Sequence, residues 1–235
     1  MNMQLMTARA RMNHMAAPGP SGDPYWANVI ALLHFDSGRS PSVLADATGR
    51  VWTNNSSLVT LDSTIKKFGA SSAKFPNSSN YLSSPGGTGL DLGTGDFTIE
   101  AWTYFTGTVG GSRYLFDVGS NGIADGPNSN VSGKWAGYAG TISGSLYNNG
   151  PLPVPGVWQF ATLERVTGVL TGYMDGVAWG SSPTSPNSTG MATRIGNYGG
   201  GGIGWIGNIA EFRITRGVAR YKGNFTPPTA PFPDN

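Results

Sequence analysis

The sequence has no cysteine among its 235 residues, so no disulfide staples the fold and stability must come from a hydrophobic core. Charged residues are also scarce, at 12% of the chain against roughly 25% in ordinary globular proteins. The net charge of +2, without any basic stripe, argues against a surface that neutralises nucleic-acid phosphates. No apolar run reaches the roughly 18 residues that a membrane-spanning helix needs. We therefore expect neither a nucleic-acid partner nor a membrane partner.

Residues with catalytic chemistry are few, because the chain has only three glutamates and two histidines. A glycosidase needs two carboxylates that flank the scissile bond, whereas Glu100, Glu164 and Glu211 each stand alone in separate apolar segments. Glu100 is the strongest remaining candidate, and its alternative role is a structural carboxylate bonded by a neighbouring strand. His14 precedes the folded region and His34 lies in an apolar strand, so no Ser-His-Asp arrangement is indicated. The sequence predicts a protein that is not an enzyme.

Glycine and proline are plentiful, with 36 and 16 residues spread between short hydrophobic runs. This pattern is typical of many short strands joined by tight turns. We predict an all-β fold, a two-sheet antiparallel β-sandwich or jelly roll formed by residues 25–235. The predicted strands cover residues 29–35, 97–105, 114–118, 158–165, 169–174, 177–179 and 207–214.

The clearest strand is 97–105, where alternation gives two faces. The face expected to point into the core carries Phe97, Ile99, Ala101, Thr103 and Phe105. Trp102 lies on the opposite face, where we expect the other sheet or a loop to cover it. Asp175-Gly176 is a strong hairpin signal between two strands. In 207–214 the alternation predicts Ala210, Phe212 and Ile214 on one face, and residues 218–221 form at most one helical turn.

Residues 1–24 form an extended N-terminal arm and linker that cannot bury their own apolar groups. The arm holds five of the seven methionines and no acidic residue before Asp23. Charged and polar residues interrupt every apolar run in it, so no signal peptide is predicted and synthesis in a cytoplasm is expected. One hypothesis is a flexible tail without function. The other is a peptide that anchors the domain to a partner, through Met1, Met3, Leu5, Met6, Arg9, Arg11, Met12 and Met15.

Glycan binding requires an aromatic face for the sugar's C–H side and amides or hydroxyls for its rim. The loop-rich segments offer such groups at Trp135, Tyr138, Tyr147, Asn148, Tyr198 and Trp205. The alternative is that Trp135 and Trp205 pack in the core, as most tryptophans do. Oxygen ligands for Ca²⁺ are offered by Asp117, Asn121 and Asp125, which are also ordinary turn residues. No other cofactor is expected.

Several segments together resemble the laminin-G-like (concanavalin-A-like) jelly rolls, in the version found in structural proteins of tailed phages. They are Asp23-Pro24-Tyr25-Trp26, Leu32-Leu33-His34-Phe35-Asp36, Phe68-Gly69-Ala70-Ser71-Ser72-Ala73-Lys74-Phe75, Tyr81-Leu82, Asp96-Phe97-Thr98-Ile99-Glu100-Ala101-Trp102, Tyr173-Met174-Asp175-Gly176, and Ile209-Ala210-Glu211-Phe212-Arg213-Ile214-Thr215 with Gly217-Val218-Ala219-Arg220-Tyr221. The ending Phe225-Thr226-Pro227-Pro228-Thr229-Ala230-Pro231-Phe232 resembles that of the phage members. The resemblance spans nearly everything after the arm.

The resemblance implies a virion component, a head decoration or a tail or fibre accessory, present in many copies or as a homo-oligomer. It implies contacts with other virion proteins and binding of host-surface polysaccharide, which fold alone does not fix. A free or cell-surface carbohydrate-binding module is the alternative, and a glycosidase is a weaker one. The chain departs from the family in lacking the disulfide of laminin-type domains, a clear calcium ligand set and the carboxylate cluster of the related glucanases.

Overall fold

The computed structural model describes residues 22–87, 89–108, 113–118, 134–138, 150–184, 190, 192–198 and 202–235. The regular secondary structure of these residues consists of antiparallel strands and one 3₁₀ turn at Trp26–Asn28. The twelve strands are β1 (Val29–Leu33), β2 (Thr53–Asn54), β3 (Thr60–Asp62), β4 (Ser72–Phe75), β5 (Leu82–Ser84), β6 (Phe97–Phe105), β7 (Phe116–Val118), β8 (Trp158–Val166), β9 (Val169–Met174), β10 (Val177–Pro183), β11 (Thr193–Ile195) and β12 (Gly207–Arg216). The all-β sandwich expected from the sequence is confirmed.

The strands form two sheets of unequal size. The large sheet has eight strands in the order β10-β9-β8-β6-β12-β4-β3, with β1 paired to the C-terminal half of β12. The small sheet has four strands in the order β2-β5-β11-β7. All strand pairs are antiparallel, and most join strands far apart in the chain, such as β6 with β12. Non-local pairing of this kind is why strand order could not be deduced from local patterns.

The long predicted strands agree closely with the structure. β6 and β9 have the expected bounds, and the β9–β10 hairpin turns at Asp175 and Gly176, whose φ angles are 51° and 78°. Two positive φ angles are the geometry that an Asp-Gly hairpin supplies. β1 ends at Leu33, before the expected residue 35, because Phe35 has a φ of 57° and leaves the sheet. The five strands β2, β3, β4, β5 and β11 were missed because each has only two to four residues.

A single hydrophobic core lies between the two sheets. The large sheet contributes Phe97, Ile99, Ala101 and Phe105 from β6, as the alternation of that strand predicts. The small sheet contributes Leu82, Phe116 and Ile195. Each buried large side chain of this kind stabilises the fold by about 1.5–3 kcal/mol relative to an exposed one.

A β-bulge in β12 corrects the predicted faces of that strand. The register with β6 shifts between Ala210 and Arg213, and Glu211 has a φ of 54°. The extra residue keeps Phe212 in the core but moves Ile209 into it and Ala210 to the opposite side. Simple alternation therefore fails across the bulge, although it holds on the C-terminal side of it.

The last segment of the chain, residues 217–235, covers the outer face of the large sheet. Phe225 and Phe232 pack their rings on Phe160 of β8, with centroids 6.1 and 6.3 Å apart. Residues 218–221, for which at most one helical turn was expected, form none; they are irregular and run along the sheet. Trp102 is 6% exposed beneath this layer, between Phe160 and Phe68, so the expectation that it is covered is confirmed.

The folded part begins no later than Asp23, which the sequence interpretation assigned to the arm. Asp23 is buried, and its carboxylate accepts hydrogen bonds from Arg213 at 2.9 Å and from Arg220 at 2.7 Å. Its backbone N–H donates to the carbonyl of Asn235 at 2.7 Å. The expected boundary after residue 24 is thus moved toward the N-terminus. Residues 1–21, with all the proposed anchoring side chains, lie outside the described residues.

Candidate functional site

A polar row crosses the outer face of the small sheet. Thr53, Ser83, Arg194 and Asp117 lie opposite one another on adjacent strands, in the order β2, β5, β11 and β7. Their neighbours along each strand, such as Leu82 and Ile195, point into the core. The row runs from exposed Thr53 to Asp117, which is only 2% exposed.

Asp117 is the most unusual group in this row. Its Oδ2 lies 3.8 Å from Nη1 of Arg194, and its Oδ1 has no hydrogen-bond partner in the described residues. Burial raises the pKa of Asp117 to about 7, and the positive charge of Arg194 only partly opposes this effect. A buried carboxylate with one unpaired oxygen is costly for a fold, so this position is a candidate for ligand contact.

Three tyrosines cluster beside Asp117. Tyr114 and Tyr198 stack with centroids 5.0 Å apart, and the ring of Tyr138 stands edge-on to both at 6.2 Å. Burial, together with the nearby Asp117, raises the pKa of the Tyr138 phenol. Its Oη also lacks a partner in the part of the chain that the structure describes. Tyr198 and Arg194 remain half-exposed, so the cluster opens to solvent on their side.

The structure separates the predicted glycan contacts into three groups. Trp135 and Trp205 are fully buried and stack on each other at 5.7 Å, so they belong to the core and offer no open ring face. Tyr138 and Tyr198 meet in the tyrosine cluster, although only Tyr198 is half-exposed. Tyr147 and Asn148 lie outside the described residues.

The weak calcium candidates are not brought together by the described residues. Asp117 is in β7, whereas Asn121 and Asp125 lie outside the described residues. Within the ranges that the structure describes, no group of three or more Asp, Glu, His or Cys side chains is placed to hold a metal ion. Calcium binding therefore stays a prediction. The described residues also contain no helix long and apolar enough to cross a membrane.

The three glutamates lie on the other side of the molecule, beneath residues 217–235. Glu100 pairs with Arg213 at 2.7 Å, and Glu164 accepts from the backbone N–H of Tyr221 at 2.8 Å. Glu211 accepts from the N–H of Phe232 at 2.9 Å. All three are at most 2% exposed. Glu100 is thus the hydrogen-bonded structural carboxylate that was the alternative to a catalytic one.

Sequence reasoning missed Arg194, Tyr114 and Ser83. A three-residue strand gives little periodicity, but Thr193-Arg194-Ile195 lies between Gly190 and Gly196 and has a polar residue between two β-branched ones. That triplet was the one local signal for an outward-facing arginine. Tyr114 enters the cluster through an isolated bridge to Gly204, which no local pattern predicts.

Residues 76–219 match the laminin-G-type family model described as the concanavalin A-like lectin/glucanases superfamily. The chain belongs to the concanavalin A-like lectin/glucanase superfamily. The matched region includes β5 to β12 and holds Asp117, Arg194 and the three tyrosines, whereas β1 to β4 precede it. A search of curated proteins gave no match.

Solved structures share this superfamily fold at low sequence identity. Domain 4 of AbnA, a GH43 extracellular arabinanase from Geobacillus stearothermophilus solved with arabinotriose, aligns with a TM-score of 0.65 and 18% identity, covering 83% of this chain and 95% of that one. The binding domain of Paraclostridial Mosquitocidal Protein 1 aligns at 0.59 and 12%, covering 84% and 51%. Trypanosoma rangeli sialidase aligns at 0.58 and 15%, covering 85% and 31%. The chain therefore spans nearly the whole arabinanase domain but only about half and a third of the other two chains.

Proposed function

We propose that the chain is a non-enzymatic carbohydrate-binding module whose ligand lies on the outer face of the small sheet, at Asp117, Arg194 and the tyrosine cluster. The observation that carries this proposal is the pair of buried oxygens without a partner among the described residues, Asp117 Oδ1 and Tyr138 Oη. Leaving a buried polar group unpaired costs about 1–3 kcal/mol. Sugar hydroxyls can both donate and accept, so they suit such a pair.

The surroundings of these oxygens have the other features of a sugar site. Tyr198, half-exposed and stacked on Tyr114, offers an aromatic surface to the C–H side of a sugar ring. Arg194 and Ser83 offer donors along the same row of the sheet. The arabinanase domain that shares the fold was solved with arabinotriose, a short neutral oligosaccharide. This gives support by analogy, and arabino-oligosaccharides are the first ligands to test.

The absence of catalysis is also part of the proposal. A glycosidase places two carboxylates about 5–9.5 Å apart around the bond that it cleaves. Glu100, Glu164 and Glu211 are all buried and bonded beneath residues 217–235. Among the described residues, no second carboxylate forms a hydrogen bond or an ion pair with Asp117 or Arg194. Binding without hydrolysis is the expected behaviour.

The test is a glycan array probed with the full chain, followed by calorimetry with the glycan that binds. Arg194→Gln and Tyr198→Ala should each weaken binding at least tenfold, the loss expected when one good polar or aromatic contact is removed. Thr60→Ala, an exposed change on the large sheet, is the matched control. A folded chain that binds no glycan, or that binds equally well in both variants, would contradict the proposal.

We propose further that the module is an accessory protein of a tailed-phage virion, as a head decoration or a tail or fibre component, made in the host cytoplasm and present in many copies. The motifs that open and close the domain support this context. The described residues begin at Gly22, next to Asp23. Asp23 accepts a hydrogen bond from Arg213, which lies on the outer face of the large sheet. A domain held through residues 1–24 would then present the small sheet, on its opposite side, to a host polysaccharide.

Mass spectrometry of purified virions tests this placement directly. We expect the polypeptide in the particle at a defined copy number, and its loss from particles when residues 1–22 are deleted. Detection only outside particles would instead favour a free or cell-surface carbohydrate-binding module. Full occupancy by the deleted form would show that the arm is not the anchor.

A further inference from the structure

A pocket of about 200 Å³ lies between the end of β1 and the last residues of the chain. Its His34 bonds to Glu211 on the outer side of the large sheet, whereas the polar row lies on the outer face of the small sheet. Its polar lining includes His34, Asp36, Arg39, Ser40, Asp46 and Asp234. None of these groups takes part in the proposed glycan site, so the pocket and that site can be tested independently.

The imidazole of His34 is fixed from behind by a buried carboxylate. Its Nδ1 lies 3.0 and 2.9 Å from the two oxygens of Glu211, and the two side chains are 8% and 3% exposed. Since a carboxylate only accepts, Nδ1 carries the proton. Since an arginine nitrogen only donates, Nε2, which lies 3.3 Å from Nη1 of Arg39, is an acceptor. The backbone of Glu211 has a φ of 54° and that of Phe35, next to His34, has a φ of 57°. Left-handed backbone at non-glycine residues costs about 1–3 kcal/mol and is concentrated at functional sites.

The chain's own Asp234 closes this pocket. Its Oδ2 lies 2.7 Å from Nη1 of Arg39 and 3.8 Å from Nε2 of His34, and the same Arg39 nitrogen donates to His34 Nε2 at 3.3 Å. Arg39 and Asp234 are well exposed, with side chains 38% and 48% accessible. An exposed ion pair of this kind contributes only about 0–1 kcal/mol. The carboxylate of Asp234 is therefore easily exchanged for another.

The remaining carboxylates of the pocket are already committed to the fold. Asp36 accepts from the N–H groups of Gly38 and Ala70 at 2.9 and 2.7 Å. Asp46 accepts from the indole N–H of Trp52 at 2.8 Å and from the N–H of Thr48 at 2.7 Å. The groups that can turn to a ligand include one strong donor, Arg39, and one acceptor, His34 Nε2, whose contact with Arg39 is long at 3.3 Å.

We infer that this pocket binds a hydroxycarboxylate of the size of a sugar acid, whose carboxylate replaces that of Asp234 on Arg39 while a neighbouring hydroxyl donates to Nε2 of His34. Asp234 acts as a built-in substitute for the ligand. The exchange puts one carboxylate in the place of another, so it does not add charge beside Asp36 and Asp46. A neutral sugar lacks the group that Arg39 selects, and a simple carboxylate lacks the hydroxyl that His34 selects.

Calorimetry with D-glucuronate on the full chain tests the inference, with D-glucose and acetate as the two incomplete ligands. Asp234→Ala removes the substitute and should tighten glucuronate binding about fivefold, the factor that corresponds to about 1 kcal/mol. In the Asp234→Ala background, Arg39→Gln should weaken binding at least tenfold. Both changes are at exposed side chains, and thermal unfolding checks that the fold is kept.

Arg216→Gln in the same background is the matched control, because it changes an exposed arginine at the end of β12 that lies outside both the pocket and the proposed glycan site. We expect it to leave glucuronate binding unchanged, and we expect glucose and acetate each to bind more weakly than glucuronate. Equal affinity of the wild type and Asp234→Ala overturns the inference. So does binding that survives Arg39→Gln, that is lost in Arg216→Gln, or that is as strong for glucose as for glucuronate.

Discussion

The outer faces of the two sheets are built from similar alternating strands, but they differ in how their polar groups are covered and paired. On the large sheet, residues 217–235 cover the face, and all three glutamates of the chain accept bonds from that covering segment. On the small sheet, a polar row ends at Asp117, whose Oδ1 has no partner among the described residues. A face whose carboxylates are paired within the chain has a structural role, whereas the unpartnered carboxylate oxygen of Asp117 on the other face is the position that we propose for a ligand.

The same comparison appears in the electrostatics of two aspartates. Burial disfavours the charge of Asp23, but the hydrogen bonds from Arg220 and Tyr25 and the charges of Arg220 and Arg213 lower its pKa overall. Burial of Asp117 raises its pKa to about 7, since Arg194 compensates only in part. Asp23 therefore stabilises the fold above its usual pKa and loses that effect in acid. Asp117 does the reverse, because its neutral form is the one that the fold favours.

The largest effect on stability is expected from Trp102, which is buried on the covered face of the large sheet. Trp102→Ala should lower the free energy of unfolding by about 3–5 kcal/mol, as for other buried aromatics. The lost contacts include Phe160 at 5.0 Å and Lys67, whose Nζ lies 3.6 Å from the ring centroid. Urea denaturation measures the change, with Ser83→Ala on the small sheet as a control that should stay within about 0.5 kcal/mol. An unaltered midpoint for Trp102→Ala would mean that residues 217–235 do not cover the sheet.

Two truncations of the arm test whether Asp23 belongs to the covered face. Deleting residues 1–22 should leave the melting temperature unchanged, whereas deleting residues 1–24 should cost about 3 kcal/mol. The second deletion removes Asp23 and leaves Arg213 with Glu100 as its one remaining acidic partner among the described residues. Thermal unfolding of both forms checks this. Equal stability of the two truncations would place Asp23 outside the fold, and a large loss in the shorter deletion would place the arm inside it.

Asp117→Asn should remove the pH dependence of stability that the ionisation of Asp117 causes. In the wild type, the stabilising contribution of Asp117 is complete below its ordinary pKa of 3.8 and is lost as pH rises toward about 7. The variant cannot ionise, so it should gain stability relative to the wild type over that window, by up to about 4 kcal/mol near pH 8. Denaturant unfolding across the range gives the difference. A constant offset between the two proteins would show that Asp117 titrates normally and is solvated.

The smallest expected effect concerns Tyr198, at the open side of the tyrosine cluster. Tyr198→Ala removes the stacking on Tyr114 and should cost about 0.5–1.5 kcal/mol. The same variant should lose more free energy of glycan binding than free energy of unfolding, because the half-exposed ring is assigned to the ligand. Calorimetry and unfolding of the same variant give both numbers. A loss of stability above that of Trp102→Ala would make Tyr198 part of the core, and the comparison of the two faces would fail.

Local sequence was sufficient to predict the strands that are long and regular. β6 and β9 were predicted with their observed bounds, because nine and six residues suffice to show period-two alternation. The hairpin at Asp175-Gly176 was equally local, since the φ angles that it needs are properties of those two residues. The paucity of glutamate likewise led to the prediction of a protein without catalysis, which stays a prediction.

Which outward-facing groups are covered and which stay open depends instead on how distant segments pack. Trp135 and Trp205 lie in glycine-rich sequence that looks like loop, yet they stack in the core because distant segments close over them. Asp117 and Arg194 meet only through the pairing of β7 with β11, which lie far apart in the chain. Burial, and with it the pKa of Asp117, depends on long-range packing whose information no local window of sequence contains.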